Sequence, residues 1–404
     1  MITDKPNPRG PQLAARRVRP ADARELAAAL READEAGIGV LPHGAGTQQY
    51  VGNPPSRVDV ILETRALDGI VEHTPADLTV TVRAGARLAD LQAALGAAGQ
   101  RLTLDPPHAR DATIGGLIAT NASGPRRAKY GTLRDLVIGM RVALVDGTIA
   151  RAGGKVVKNV AGYDLNKLYI GSLGTLGVIV EATFKVLPLP AHEAALAARF
   201  VSLRRASEAA VAIAHTGLRP AALEAHDLDD DPRLVVVADG HEPAVERVLA
   251  ETSRIAREYG ARSVDRAPDV ETALAPSRGL IESEALILRA SVPLAAQGPF
   301  VDEIRRIAHD RTAGVALAAH AGNGIVRARL SGEAEAVSRA AVEMFALAKT
   351  VEGDAWCERV PDALRDVVRD AWFGEPPGFF LMRRIKREFD PRDTLNPGRF
   401  VGGI

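Results

Sequence analysis

Residues 111–145 of this chain read DATIGGLIATNASGPRRAKYGTLRDLVIGMRVALV. The segment is rich in glycine and in small hydroxyl and amide residues, and it ends in a predicted β-hairpin around Asp146-Gly147. Glycine loses more backbone entropy on folding than alanine does, so a dense run of glycines marks a place where the backbone approaches another group closely. We expect that group to be a diphosphate.

A second glycine cluster, Pro42 to Thr47 (PHGAGT), follows a short apolar run that predicts a strand. The dinucleotide-binding fingerprint of doubly wound folds would need a helix to begin on these glycines. Gly52, Pro54 and Pro55 exclude such a helix. The loop is therefore predicted to bind an anion through its own backbone N–H groups, although an ordinary tight turn would give the same pattern.

A third motif, Gly171 to Ile179 (GSLGTLGVI), runs directly into an alternating pattern typical of a strand. The three motifs resemble the FAD-binding domain of the vanillyl-alcohol oxidase and p-cresol methylhydroxylase (PCMH) family. In that family the corresponding segments read roughly PRGGGT, TIGGxIATNxxG and GSxGTLGxI. The resemblance implies an α+β fold in which a PCMH-type FAD-binding domain of two α+β subdomains comes first.

The resemblance also assigns residues to the cofactor. We expect the pyrophosphate to lie against the first loop and against a helix that begins near Thr113, with Thr113 as its N-cap and with uncovered N–H groups at Gly115 and Gly116. Asn121, Ser123 and Gly124 would contact the flavin ring, and residues 177–179 would give a flat backbone edge to the ring or the adenine. The candidate FAD-binding residues are His43, Gly44, Ala45, Gly46, Thr47, Thr113, Ile114, Gly115, Gly116, Asn121, Ser123, Gly124, Gly177, Val178 and Ile179.

The flavin is expected to be held noncovalently. Other members of the broader group attach it covalently through a histidine near the first loop. In this chain His43 stands where noncovalent relatives usually carry arginine, and Gly46 occupies the position of the linking residue.

Composition and charge limit the partners and cofactors that we expect for this chain. The formal net charge of zero gives no electrostatic reason to expect nucleic acid as a partner. The single cysteine, Cys357, excludes internal disulfides and an iron–sulfur cluster ligated by cysteines of this chain alone. Neither a secretory signal nor an apolar transmembrane segment is predicted. We expect a cytoplasmic protein, which partner subunits could hold at the inner membrane.

The hydrophobic pattern divides the chain near residue 190. Residues 1–12 are expected to be disordered, residues 13–190 to form the FAD-binding domain, and residues 191–404 to form a cap domain whose C-terminal helical segment returns to the first domain. In the cap, strands alternate with helices. This order predicts an antiparallel sheet covered by helices on one face, a ferredoxin-like α+β layer.

Two further segments resemble one branch, the FAD-linked glycolate and D-lactate oxidoreductases. They are GKVVKNVAGYDL, residues 154–165, and IKREFDPRDTLNPGRF, residues 385–400. Both look like the FAD-binding subunit type of bacterial glycolate oxidases. The resemblance implies a complex with a catalytic flavoprotein subunit and an iron–sulfur subunit, and a small 2-hydroxy acid as substrate.

The chain departs from the family pattern at the metal site. Catalytic relatives carry HxGDGNxH and a later EHG, which hold a divalent metal against the 2-hydroxy acid. Here residues 320–327 read HAGNGIVR, and the later element is Glu358-Arg359-Val360. Arginine stays protonated and cannot ligate a metal, so we predict no metal site.

Two interpretations of this departure compete. In the first, Arg327 and Arg359 clamp a substrate carboxylate while His320 takes the hydroxyl proton, as hydride leaves for the flavin. In the second, these positions are vestigial and the arginines face a neighbouring subunit. We favour the second, because losing the metal ligands removes the family's usual means of activating the hydroxyl.

Three functions stay open. The leading one is the FAD-binding subunit of a glycolate oxidase complex, which oxidises glycolate or D-lactate to the 2-oxo acid and passes electrons through FAD to a partner. The second is a non-catalytic structural flavin subunit. The third is a stand-alone FAD-dependent alcohol or sugar oxidase, against which the segments 154–165 and 385–400 argue.

Overall fold

The structure is a computed structural model that describes residues 15–155 and 163–404. The expected disordered segment, residues 1–12, lies outside the described residues. So does most of the segment 154–165.

The first subdomain is a small parallel sheet beside one helix. Its strands lie in the order β1-β3-β2. The helix begins where the Asp22 side chain accepts hydrogen bonds from the backbone N–H groups of Arg24 and Glu25, at 2.7 and 2.9 Å. The elements are β1 Arg16–Val18, α1 Ala23–Glu35, β2 Val40–His43 and β3 Val60–Glu63.

The second subdomain is a five-stranded antiparallel sheet in the order β4-β5-β9-β7-β8. The predicted hairpin is confirmed as β7 and β8, which Gly147 joins at a φ of +84°. The elements are β4 Ile70–Thr74, β5 Thr79–Arg83, α2 Leu88–Ala97, β6 Gln100–Arg101, α3 Ile114–Thr120, α4 Arg127–Tyr130, α5 Leu133–Leu136, β7 Val137–Ala143, β8 Ile149–Gly153, α6 Asn166–Tyr169, β9 Val178–Lys185 and β10 Leu187–Pro188.

The cap is one eight-stranded antiparallel sheet in the order β14-β11-β13-β12-β16-β17-β15-β18. Its elements are β11 His192–Arg199, α7 Leu203–Ala214, β12 Ala222–Asp227, β13 Arg233–Gly240, α8 Glu242–Glu258, β14 Ser263–Arg266, α9 Val270–Glu282, β15 Leu286–Ser291, α10 Gln297–Asp310, β16 Gly314–His320, β17 Ile325–Ser331, α11 Ala334–Thr350 and β18 Asp354–Arg359.

Helices cover both faces of the cap sheet, so the prediction of helices on one face only was wrong. The larger core lies between the sheet and the helices α7, α8, α10 and α11. On the opposite face, Leu274 of α9 packs with Val235 and Val237, and Leu280 packs with Ile287. The central strands therefore bury alternate side chains on opposite faces of the sheet, each packed against helices.

The C-terminal segment packs on the first domain. Helix α12, Phe379–Phe389, buries Lys386, whose Nζ donates to the carbonyl oxygens of Thr175 and Leu395 at 3.0 Å each and pairs with Asp390 at 2.6 Å. Further along, Asn396 Nδ2 donates to the Leu173 carbonyl at 2.7 Å. The tail thereby fixes the third glycine-rich motif in place.

Candidate functional site

The three glycine-rich motifs line one cleft. Of the candidate FAD-binding residues, those that line the cleft are His43, Gly44, Ala45, Gly46, Thr47, Thr113, Gly115, Gly116, Gly177, Val178 and Ile179.

Glycines of the first loop allow the backbone to pack tightly at the bottom of this cleft. A Cβ on Gly44 would lie 2.2 Å from Thr113 Oγ1, and Gly46 has a φ of +77°. The ring of His43 lies beneath Gly46, and burial lowers the pKa of His43, so the imidazole is neutral at pH 7. The glycines leave backbone groups of the loop uncovered by side chains, which suits the phosphate groups of FAD.

The start of α3 differs from the prediction in two respects. Thr113 occupies the N-cap position with an extended backbone, but its side chain accepts no capping hydrogen bond. The Gly115 N–H is covered, because it donates to the Ala84 carbonyl at 2.8 Å. A Cβ on Gly115 would lie 2.9 Å from the Cβ of Ala84, so this glycine lets α3 lie close to the end of β5. By contrast, a Cβ on Gly116 would contact only Thr113 Oγ1, at 3.2 Å.

Four candidate residues do not line the cleft. Ile114 is in the core of the second subdomain, and Asn121 ends α3 in a left-handed conformation. Ser123 Oγ accepts a hydrogen bond from Arg127 Nη1 at 2.9 Å. A Cβ on Gly124 would lie 1.8 Å from the carbonyl oxygen of Asp105, so packing within the protein already requires this glycine.

Several residues that line the cleft were not predicted from the sequence. They include Leu173 and Gly174 of the third motif, and Asn396 and Arg399 of the tail. The tail residues belong to the quoted segment 385–400, but only the structure shows that this segment reaches the cleft. Arg399 supports the first loop by donating to the side chain and backbone carbonyl oxygens of Gln49, at 2.6 and 2.9 Å.

The predicted catalytic residues lie on the cap sheet, on the face that carries α9. His320 Nδ1 lies 2.6 Å from Glu224 Oε1, and His320 Nε2 contacts Arg327 Nη1. Arg327 also donates through Nε and Nη2 to Glu358, at 2.6 and 3.2 Å. Because a guanidinium only donates, Nε2 is the acceptor, and the proton of the neutral imidazole lies on Nδ1.

Burial sets the charges of this cluster. Burial and the neighbouring charge of Arg327 lower the pKa of His320 well below its usual value. Burial also raises the pKa of Glu224 well above its usual value, so burial favours the neutral form of both groups. Burial opposes ionisation of Glu358 as well, but the charges of Arg327 and Arg289 outweigh it and lower the pKa of Glu358. Glu358 is therefore the ionised partner of Arg327.

Both interpretations of the arginines need correction. Arg327 and Arg359 are 3% and 6% exposed, so they do not face a neighbouring subunit. Nor do they form a joint clamp in this structure, because Arg327 is engaged with Glu358 and His320. Arg359 instead lies over the ring of Tyr50, 3.9 Å from its centroid, and pairs with Glu284 at 2.9 Å.

The donor set of the cluster does not fit a metal ion. A guanidinium stands between the His320 imidazole and the Glu358 carboxylate, where it donates to both. Within residues 15–155 and 163–404, no group of three or more histidine, cysteine, aspartate or glutamate side chains is arranged to hold a metal.

Comparisons with known proteins give the family. Residues 14–153 match the FAD binding domain, and residues 371–400 match the C-terminal domain of FAD linked oxidases. The chain is 30% identical over 416 residues to glycolate oxidase subunit GlcD of Bacillus subtilis, across 95% of this chain and 88% of the relative. It is 31% identical over 414 residues to D-lactate dehydrogenase of Archaeoglobus fulgidus, across 95% and 90%. The chain belongs to the FAD-linked oxidase family, and it is an FAD-dependent oxidoreductase acting on CH–OH groups.

Part of the chain has a higher sequence identity to another relative. Over 164 residues the chain is 43% identical to glycolate oxidase subunit GlcE of Escherichia coli, across 40% of this chain and 46% of that subunit. Among solved structures, p-cresol methylhydroxylase superposes with a TM-score of 0.75 at 15% identity, across 96% of this chain and 89% of that one. The predicted PCMH-type α+β fold is confirmed. The described part of the chain contains no helix with the length and apolar character needed to cross a membrane.

Proposed function

We propose that this chain is the FAD-carrying subunit of a glycolate oxidase complex, which oxidises glycolate or D-lactate to the 2-oxo acid and passes electrons to partner subunits. The observation that carries the proposal is a contrast within the chain. All three glycine-rich motifs line the cleft expected to hold the cofactor, whereas the His320 and Arg327 side chains are already engaged with each other. The similarities to GlcD and GlcE support the assignment to such a complex.

Each part of the chain has a role in this proposal. Bound FAD supplies the hydride- and electron-accepting chemistry. The loop 43–47 would hold the phosphates through backbone groups, and residues 177–179 would support the ring or the adenine. His320 Nε2 is not available as a base for a hydroxyl proton, because it accepts a hydrogen bond from Arg327. The proton acceptor is therefore expected to come from another subunit.

Reconstitution tests the proposal. The full chain would be coexpressed with a GlcD-type flavoprotein and an iron–sulfur subunit, and oxidation of glycolate and of D-lactate would be measured with an artificial electron acceptor. We expect activity that requires this chain and its FAD. Equal activity of the complex without this chain would contradict the proposal.

The two alternatives would give different results. A structural flavin subunit would support activity of the complex even when its own cleft cannot retain FAD. A stand-alone oxidase would turn over alcohols or sugars without any partner. Measuring the isolated chain, the complete complex and a complex with an FAD-free variant separates the three functions.

A further inference from the structure

A second cavity lies between the first domain and the cap. It is lined by residues of α2, of the segment 100–110 and of α9, and it shares no lining residue with the cofactor cleft. Its lining combines apolar side chains with four arginines, which are Arg101, Arg110, Arg126 and Arg278. Guanidinium groups stay protonated and repel one another, so four of them around one cavity call for negative charge nearby.

Part of that negative charge comes from two carboxylates of the cap. Arg126 donates to both oxygens of Glu193, at 2.6 and 3.0 Å, and Arg101 Nη2 donates to Asp239 at 2.5 Å. Lys129 of the first domain pairs with Asp239 as well. Three cations of the first domain therefore share two carboxylates of the cap, and positive charge remains in excess.

The acidic residues that line the cavity, Asp105 and Glu271, do not cancel this excess. Burial raises the pKa of Asp105 to about 7, which weakens this carboxyl group as a counter-charge. The side chain of Glu271 is 75% exposed, and it accepts from Arg278 Nη2 at 2.7 Å. Because an exposed ion pair contributes little, Arg278 is only weakly held by Glu271.

Three of the arginines have hydrogen-bond donors to spare. Arg101 Nε is buried, and no acceptor among the described residues contacts it. Arg110 is exposed and makes no hydrogen bond or ion pair within residues 15–155 and 163–404. Arg278 bonds to Glu271 through Nη2 alone, which leaves Nε and Nη1 without an acceptor in the described part of the chain. An anion in the cavity would accept from these donors.

We propose that this cavity binds the phosphate group of a small molecule, with Arg101, Arg110 and Arg278 as its donors. A phosphate group carries a charge of about −1.5 to −2 at pH 7 and has three acceptor oxygens, so it can bind more than one guanidinium group. A monocarboxylate has a single charge and suits the excess less well. Since Arg278 belongs to the cap and the other two arginines to the first domain, the bound phosphate joins the two domains outside the cofactor cleft.

Isothermal titration calorimetry of the FAD-loaded full chain with inorganic phosphate tests the site. FAD occupies the cofactor cleft, so the titration reports on other sites. At constant ionic strength we expect saturable binding of phosphate and weaker binding of glycolate, a monoanion. Arg110→Gln and Arg278→Gln should each weaken phosphate binding roughly tenfold or more, since each removes a charged hydrogen-bond donor.

Arg384→Gln and Arg383→Gln are the matched controls. Arg384 is exposed, as Arg110 is, and Arg383 pairs with one exposed carboxylate, Glu375 at 3.1 Å, as Arg278 does with Glu271. Both controls should leave the affinity for phosphate unchanged. The flavin content of every variant reports its folding.

A titration with phenyl phosphate distinguishes two sources of the phosphate group. Tighter binding than that of inorganic phosphate would indicate an organic phosphate that also uses the apolar lining, and equal binding would indicate the free ion. Absence of saturable phosphate binding would overturn the proposal, as would equally tight binding of glycolate or chloride. Unchanged affinity in both Arg110→Gln and Arg278→Gln would overturn it as well.

Discussion

The cofactor cleft and the cap-sheet cluster are built in opposite ways. Glycine-rich backbone lines much of the cleft, and the absence of side chains lets that backbone pack closely. A Cβ on Gly44, for example, would lie only 2.2 Å from Thr113 Oγ1. Ionisable side chains from the four strands β12, β16, β17 and β18 form the cluster, and they are paired mainly with each other. A site made of backbone can be recognised from its glycines, but the availability of a charged side chain depends on partners distant in sequence.

The largest effect expected is loss of FAD in Gly116→Leu. A leucine side chain at this position would project into the cleft and occupy the space of the cofactor. Leucine also favours a helix by about 1 kcal/mol over glycine, so the apoprotein should fold. The measurement is the ratio of flavin to protein absorbance after purification.

Gly96→Leu is the control, since Gly96 is an exposed glycine of α2 and a Cβ placed on it would have no other atom within 4 Å. We expect it to keep its full flavin content. Retention of FAD by Gly116→Leu would contradict the assignment of the cleft.

The next largest effect is a loss of stability when the cap-sheet cluster around Arg327 is disrupted. Arg327→Met should reduce the free energy of unfolding by about 3–5 kcal/mol, because it leaves the carboxylate of Glu358 buried without its main partner. Urea unfolding at pH 7 measures the change, with Arg384→Met as the exposed control. A loss below about 1 kcal/mol, the range of exposed ion pairs, would show that the cluster is more solvated than its contacts indicate.

The free energy of unfolding should depend on pH through Asp105, which lies near the boundary between the two domains. Burial raises the pKa of Asp105 to about 7, whereas in the unfolded chain it is about 3.9. The folded state therefore retains a proton that the unfolded state has lost. This contribution to stability is fully present below about pH 4 and is lost as pH rises to about 7, a decrease on the order of 2–4 kcal/mol.

Asp105→Asn removes this titration and can still accept the hydrogen bond from the Arg126 backbone N–H. Urea unfolding between about pH 4.5 and about pH 7.5 would compare it with the unaltered chain, since this window spans most of the titration. The difference between the two should change steadily with pH, and parallel stability curves would argue against a protonated Asp105.

Much of the fold could be predicted from the sequence. The features that could not be predicted depend on contacts between residues that are distant in sequence. Alternating apolar residues and the Asp146-Gly147 turn predicted β7 and β8, because those signals are local. No local pattern indicates the face on which α9 packs, and the close packing of Gly124 on Asp105 looks in sequence like one more cofactor glycine. The pairing of Arg327 with Glu358 joins strands that are neighbours of β15 on opposite sides, which again depends on the tertiary structure.

The smallest expected effect is a difference in stability between variants at the N-caps of two helices, α1 and α3. Asp22→Ala should cost about 1 kcal/mol, because Asp22 caps α1 with two hydrogen bonds. Thr113→Val should cost less in the apoprotein, because the Thr113 side chain makes no capping bond at α3. Thermal unfolding of the two FAD-free variants measures the difference, and equal losses would indicate a cap at Thr113 that the structure lacks.

The most direct test of the account is anaerobic mixing of the isolated, FAD-loaded chain with glycolate and with D-lactate while flavin absorbance is followed. We predict that the flavin stays oxidised, because His320 Nε2 is engaged by Arg327 and is not free to take the hydroxyl proton. Rapid bleaching of the flavin by either acid would contradict the account, since it would show that the cap-sheet cluster works as a complete active site.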